Sequence, residues 1–139
     1  MPSLRHVTLS GACAILTTSV PLPAEARIAP ETEPHIYGSL LSAAIGAMIA
    51  HNCETIEPRK FFALIKAWEL KNFAMNKGYT EAEIDAFLRD RTERKLMREA
   101  AEGYLVGLGV DLDDPASFCS AGRAEIEKGT LAGQLIRAR

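Results

Sequence analysis

From His35 onward, apolar residues recur at three- and four-residue spacing, and no stretch alternates apolar and polar in the rhythm of a strand. That pattern restricts the chain to helices. Tyr37, Leu41, Ala44 and Met48 fall on one helical face, with Leu40 and Ile45 beside them. Ser42, Gly46 and Ala50 recur every four residues on another face, where small side chains let a neighbouring element approach closely. This first helix is expected to end near Asn52-Cys53. Its apolar stretch from Tyr37 to Ala50 suits a buried helix, because a membrane span takes about 20 apolar residues.

The segment ETIEPRK reads as a loop, with Pro58 suited to the first turn of a second helix that stops at Gly78. The main face of that helix, Phe61, Leu64, Ile65, Trp68 and Met75, is expected to face the core. Phe62 and Phe73 form a second strip that serves either as core or as a contact surface. Thr80 and Glu83 make a capping box that opens a third helix. Ile84, Phe87 and Leu88 face inward at its start, and Met97, Ala101, Tyr104, Leu105 and Leu108 form another apolar face further on. At about 100° per residue these two faces diverge. The helix must therefore bend near Thr92 or touch two different neighbours, and Gly107 and Gly109 end it. Asp114 and Pro115 fit the N-cap and first position of a fourth helix carrying Phe118, Cys119 and Ile126, which Gly129 interrupts. Leu131, Leu135 and Ile136 make a last short helix, with Arg137 and Arg139 at its negative end. The expected fold is all-α: a small bundle of four main helices plus a short C-terminal helix, with one disulfide, in a single domain over residues 35–139.

The N-terminal residues MPSLRHVTLSGACAILTTSVPLPAEA have the layout of a cleavable secretory signal. A weakly basic start (Arg5, His6) precedes an uncharged apolar run from Val7 to Val20, and the small residues of Ala24-Glu25-Ala26 follow. Residues 1–26 are read as the signal, residues 27–34 as an extended leader, and the destination as the periplasm. Cys13 is a passenger in the apolar run; the stretch before it is too short for a lipoprotein signal. No transmembrane segment is expected in the mature chain. With 16 Lys and Arg against 18 Asp and Glu, the net charge of −2 leaves no footprint for nucleic acid.

Two cysteines, Cys53 and Cys119, remain after cleavage, and in an oxidising compartment pairing is the default for an even count. A metal site would draw on His51, Cys53 and Cys119 with Glu54 or Glu57, but no second spaced pair completes it. A nucleophile at Cys53 would need a base; His51, two residues away, points to a different helical face. A calcium loop starting at Asp111 would require Gly and Glu where Ala116 and Gly122 stand, so DLDDP is capping and turn chemistry. GLGV lacks the spacing and position of a phosphate loop. The run RDRTERK, with Arg89, Arg91, Arg94 and Lys95, either touches phospholipid head groups or an acidic partner, or is a solvated face with an Asp90–Arg94 pair. No catalytic residue, metal ligand or cofactor is expected.

The exported start, NC after the first helix, AEGYLVGLG closing the third and FCSAG before a Gly-rich end together resemble a family of small exported alphaproteobacterial proteins. That family is catalogued as a domain of unknown function, family 5333, and the resemblance spans the whole mature chain. The family has no established catalytic residues, so the resemblance carries none over to this chain. The resemblance implies association with the periplasmic side of respiratory complex I as an accessory subunit. A looser similarity, carried by IAHNC and FCSAG, is to small exported immunity proteins of the Rap1a/Tai type. The expected function is a non-enzymatic protein-interaction or structural module with a contact surface drawn from Phe62, Phe73, Arg89, Arg91, Arg94 and Lys95. The alternatives are an immunity or inhibitor protein, or an enzyme or metal site using Cys53.

Overall fold

A computed structural model describes residues 28–29 and 32–139. The expected signal segment lies outside the described residues. In chain order the elements are helix α1 (Pro34–Asn52), strand β1 (Ile56–Pro58), helices α2 (Lys60–Asn76), α3 (Glu81–Arg89), α4 (Arg91–Gly107), α5 (Pro115–Lys128) and α6 (Leu131–Gln134), and strand β2 (Ile136–Ala138). The all-α expectation holds, and among the described residues no helix is long and apolar enough to cross a membrane.

α1 is the central post. Its Ile45 and Ile49 sit in the main core with Cys53, Ile56, Ala101, Leu105, Phe118 and Ile136. The small-residue face works as its spacing suggests: Gly46 lies under α6, where an added Cβ would come 3.2 Å from the Ala132 carbonyl oxygen. Gly122 does the same for α5, since a Cβ there would stand 2.4 Å from Ile56 Cδ1. A second, smaller core joins α1, α2 and α3 through Ile36, Ala74, Tyr79 and Phe87. It includes Ile28, which the sequence placed in the leader and which is buried.

Several local expectations hold. Thr80 Oγ1 accepts from the Glu83 N–H at 3.2 Å while the Thr80 N–H donates to Glu83 Oε2 at 2.7 Å, closing the capping box. Asp114 caps α5 with Pro115 in its first turn, and Gly129 ends it at φ 66°.

Three expectations need correction. The loop ETIEPRK contains β1, which pairs antiparallel with β2 in the register Ile56↔Ala138, Glu57↔Arg137, Pro58↔Ile136. Pro58 is therefore a strand residue; Arg59 is the N-cap of α2, and its N–H donates to the Leu135 carbonyl at 2.8 Å. The last helix stops at Gln134, because Ile136 turns into the sheet and is buried there. Finally, the long third helix is two helices. Asp90 takes an extended conformation (φ −63°, ψ 128°) and its carboxylate accepts from the Glu93 N–H at 2.9 Å. Starting a new helix there lets Phe87 and Leu105 face different neighbours.

Candidate functional site

Cys53 and Cys119 are joined, with an S–S distance of 2.04 Å and a Cα–Cα distance of 5.1 Å. The bond fixes the end of α1 to the first turns of α5. With both sulfurs consumed, neither is available as a thiolate nucleophile or ligand. Among the described residues no group of three or more His, Cys, Asp or Glu could hold a metal. His51 is an exposed residue in the last turn of α1.

The second feature reverses a sequence expectation. The supposed core face of α2 points outward: Phe61 is 78% exposed, Leu64 67% and Trp68 66%. Ile65, Met75 and, from α3, Leu88 extend the stripe. Ala74 is buried and Ala63 and Leu70 are half-buried, so these residues take the bundle side. Beneath the stripe, between α1, α2 and α3, lies a cavity of about 380 Å³ lined by Leu40, Leu64, Trp68, Phe87 and Leu88 among others. Phe62 and Phe73, the expected contact strip, each touch a neighbour within the molecule, and Phe73 is still 37% exposed. The Arg59 guanidinium sits 4.5 Å from the centre of the Phe62 ring, and His35 meets Phe73 edge-on at 4.5 Å.

The basic run is divided by the break at Asp90. Arg89 pairs with Asp85 at 3.7 Å and Lys95 with Glu99 at 3.5 Å. The expected Asp90–Arg94 pair does not form, because the Asp90 side chain is committed to capping α4. Arg91, Arg94, Lys95 and Arg98 line one depression. Arg94 and Arg98 also border a larger cleft of about 760 Å³ between α1, α4 and α5, with His51, Asn52, Met97 and Phe118 in its walls. Arg98 escaped the sequence reading because it lies outside the contiguous charge run. Its signal is helical spacing, four residues after Arg94.

One polar cluster in the interior was also unforeseen. Glu125 is buried, accepts from the Tyr104 hydroxyl at 3.0 Å and is contacted by the Thr130 hydroxyl. Burial raises the Tyr104 hydroxyl above the ordinary tyrosine value, and the hydrogen bond and charge of Glu125 add to the shift. The cluster ties α4 and α5 to the turn before α6, where Thr130 Oγ1 also accepts from the Gly133 N–H at 3.0 Å. Its ligands are all internal, so its role is to hold the C-terminal end in place.

Residues 29–137 match a family described as Family of unknown function (DUF5333). The chain belongs to this family. No curated protein and no solved structure matches it. The family match begins just after Ile28 and ends inside β2, so it takes in the disulfide, the outward face of α2 and the basic cleft.

Proposed function

We propose that this protein is a non-enzymatic, exported interaction module of the periplasm that binds a protein partner through the outward face of α2. The observation that carries this reading is the exposed stripe of Phe61, Leu64 and Trp68 on one helix. Exposed apolar side chains are ordinary when scattered, but a contiguous stripe marks a contact surface. Burying each of these side chains in an interface is worth about 1.5–3 kcal/mol, and Trp is among the residues most enriched at binding hot spots. The disulfide supports a structural role for Cys53 and Cys119. The resemblance stated above makes respiratory complex I the first partner to test, with this chain as an accessory subunit on its periplasmic side.

The experiment is co-purification of the tagged protein from gently solubilised native membranes, followed by identification of what accompanies it. The unaltered protein should bring a partner down, and Leu64→Glu/Trp68→Glu should lose it while keeping its helical circular dichroism. Recovery of the unaltered protein only as a free monomer overturns the reading.

A further inference from the structure

We infer that the cleft between α1, α4 and α5 receives an acidic peptide segment that also carries an apolar side chain. This site is separate from the α2 face and stands whether or not that face docks.

The first observation is where the arginines fall on α4. Arg91, Arg94 and Arg98 are spaced three and four residues apart, and continuing the same spacing reaches Ala101 and Leu105. Those last two are fully buried in the main core. One seam of α4 is therefore apolar and packed in its second half and cationic in its first. Arginines on a seam that continues the core line sit at the edge of a cleft, and Arg94 and Arg98, exposed as they are, line one.

The second observation is charge. The chain carries more carboxylates than cations, 18 against 16, yet among the described residues Arg91, Arg94 and Arg98 form no ion pair. Glu102 is the acidic residue among those lining the cleft and does not reach Arg98. Guanidinium groups favour bidentate pairing with carboxylate or phosphate, so the site is complementary to an anion.

The third observation is the remaining lining. Met97 and Leu112 give the cleft apolar walls beside the arginines, and His51 and Asn52 add polar groups from α1. An occupant must therefore supply negative charge and an apolar group together. A volume of about 760 Å³ lies within the usual span of ligand sites, about 300–1,000 Å³. A peptide helix with carboxylates at three- and four-residue spacing repeats the rise of the arginine seam, about 4.5 and 6 Å along the axis. A bilayer surface offers phosphates in a plane. It can meet the rim of the cleft but cannot place a side chain against Met97 and Leu112.

The test is fluorescence anisotropy with the protein in its disulfide-bonded form. The probe is a labelled helical peptide carrying Glu at three- and four-residue spacing around Leu and Phe, and its control has every Glu changed to Gln. The Glu peptide should bind, weaken as salt is raised, and lose at least about tenfold in affinity against Arg94→Gln/Arg98→Gln. Lys128→Gln, in the last turn of α5, should leave binding unchanged. Vesicles of phosphatidylglycerol and phosphatidylcholine form the second arm. The inference is overturned if the Glu and Gln peptides bind alike, if the arginine variant binds as well as the unaltered protein, or if the protein sediments with anionic vesicles while ignoring the Glu peptide. Should the arginine variant unfold, the Glu-against-Gln comparison on the unaltered protein decides alone.

Discussion

Breaking the Cys53–Cys119 bond should cost about 4 kcal/mol. The bond closes a loop whose ends are 66 positions apart, containing β1, α2, α3 and α4. In the chain-entropy treatment a closed loop of that length removes about 14–15 cal/mol/K from the unfolded ensemble, or about 4.3 kcal/mol at room temperature. A domain of this size has about 5–15 kcal/mol of stability in all, so the link decides whether the fold is robust or marginal. Two variants separate the cross-link from the packing of the sulfurs. Cys119 is half-buried, so Cys119→Ala reports mostly on loop closure. Cys53 is 1% exposed, so Cys53→Ala adds the loss of a buried sulfur and should cost somewhat more. Urea unfolding followed by circular dichroism measures both. At a slope of about 1–3 kcal/mol per M, the Cys119→Ala midpoint should fall by about 1.5–4 M. Reducing the unaltered protein should produce nearly the same fall. A Cys119→Ala midpoint within about 0.5 M of the unaltered protein would refute the loop-closure reasoning. A reduced protein that unfolds like the oxidised one would refute it as well.

Four further outcomes are expected. A Cβ at Gly133 would lie 2.0 Å from the Glu125 carbonyl oxygen, a backbone atom that cannot swing aside, so Gly133→Ala should cost about 3 kcal/mol or more in thermal unfolding. Gly38→Ala in α1, with nothing within 4 Å of the added Cβ, should gain about 0.5–1 kcal/mol. Because the folded state raises the Tyr104 hydroxyl above the usual value of 10.0, its contribution is complete below that value and is lost as pH rises through the folded one. Tyr104→Phe should flatten that alkaline decline in urea titrations and cost about 1 kcal/mol at neutral pH through the lost bond to Glu125. Leu64→Gln and Trp68→Gln should each change stability by less than about 0.5 kcal/mol, against about 2–5 kcal/mol if their face were core; chemical denaturation distinguishes the two.

What the sequence revealed correctly was mostly settled over a few residues. The Thr80–Glu83 box, the Asp114 cap and the Gly129 stop are hydrogen bonds and dihedral choices made within one turn, so the residue types announce them. The β1–β2 pair is the opposite case. Each strand is three residues long, too short for alternation to register, and its partner lies at the other end of the chain. The break in the third helix was visible as two apolar faces pointing apart, but it falls at Asp90, earlier than Thr92, because the Asp90 carboxylate is positioned to cap the Glu93 N–H. Periodicity identified which α2 residues share a face. It could not say which face turns inward, and weighting by hydrophobicity chose Phe61, Leu64 and Trp68 over Ala63, Leu70 and Ala74. The basic cleft was partly legible: RDRTERK held Arg91 and Arg94, while Arg98 joins them only once a helix is assumed.

The orientation of α2 is also what links the fold to the proposed function. A helix free to roll about its axis would bury its largest apolar residues, since leaving each in water forgoes about 1.5–3 kcal/mol. α2 is held against that roll at both ends. At its start the Arg59 N–H donates to the Leu135 carbonyl at 2.8 Å, and Arg59 Nη1 donates to the Gln134 carbonyl at 3.0 Å, tying the helix to the α6–β2 corner. At its end the chain turns at Gly78 with φ 96°, and the next residue, Tyr79, is buried with its N–H on the Ala74 carbonyl at 3.2 Å. Lys77 and Lys71 reach Glu33 and Glu81 at 3.5 and 2.8 Å on neighbouring segments. Rolling the helix over would break these ties and carry Lys66, half-buried on the flank of the bundle side, towards solvent-poor surroundings. The exposure of Phe61, Leu64 and Trp68 is thus imposed by anchors elsewhere in the sequence, and a fold that imposes it forgoes apolar burial that a binding partner would restore.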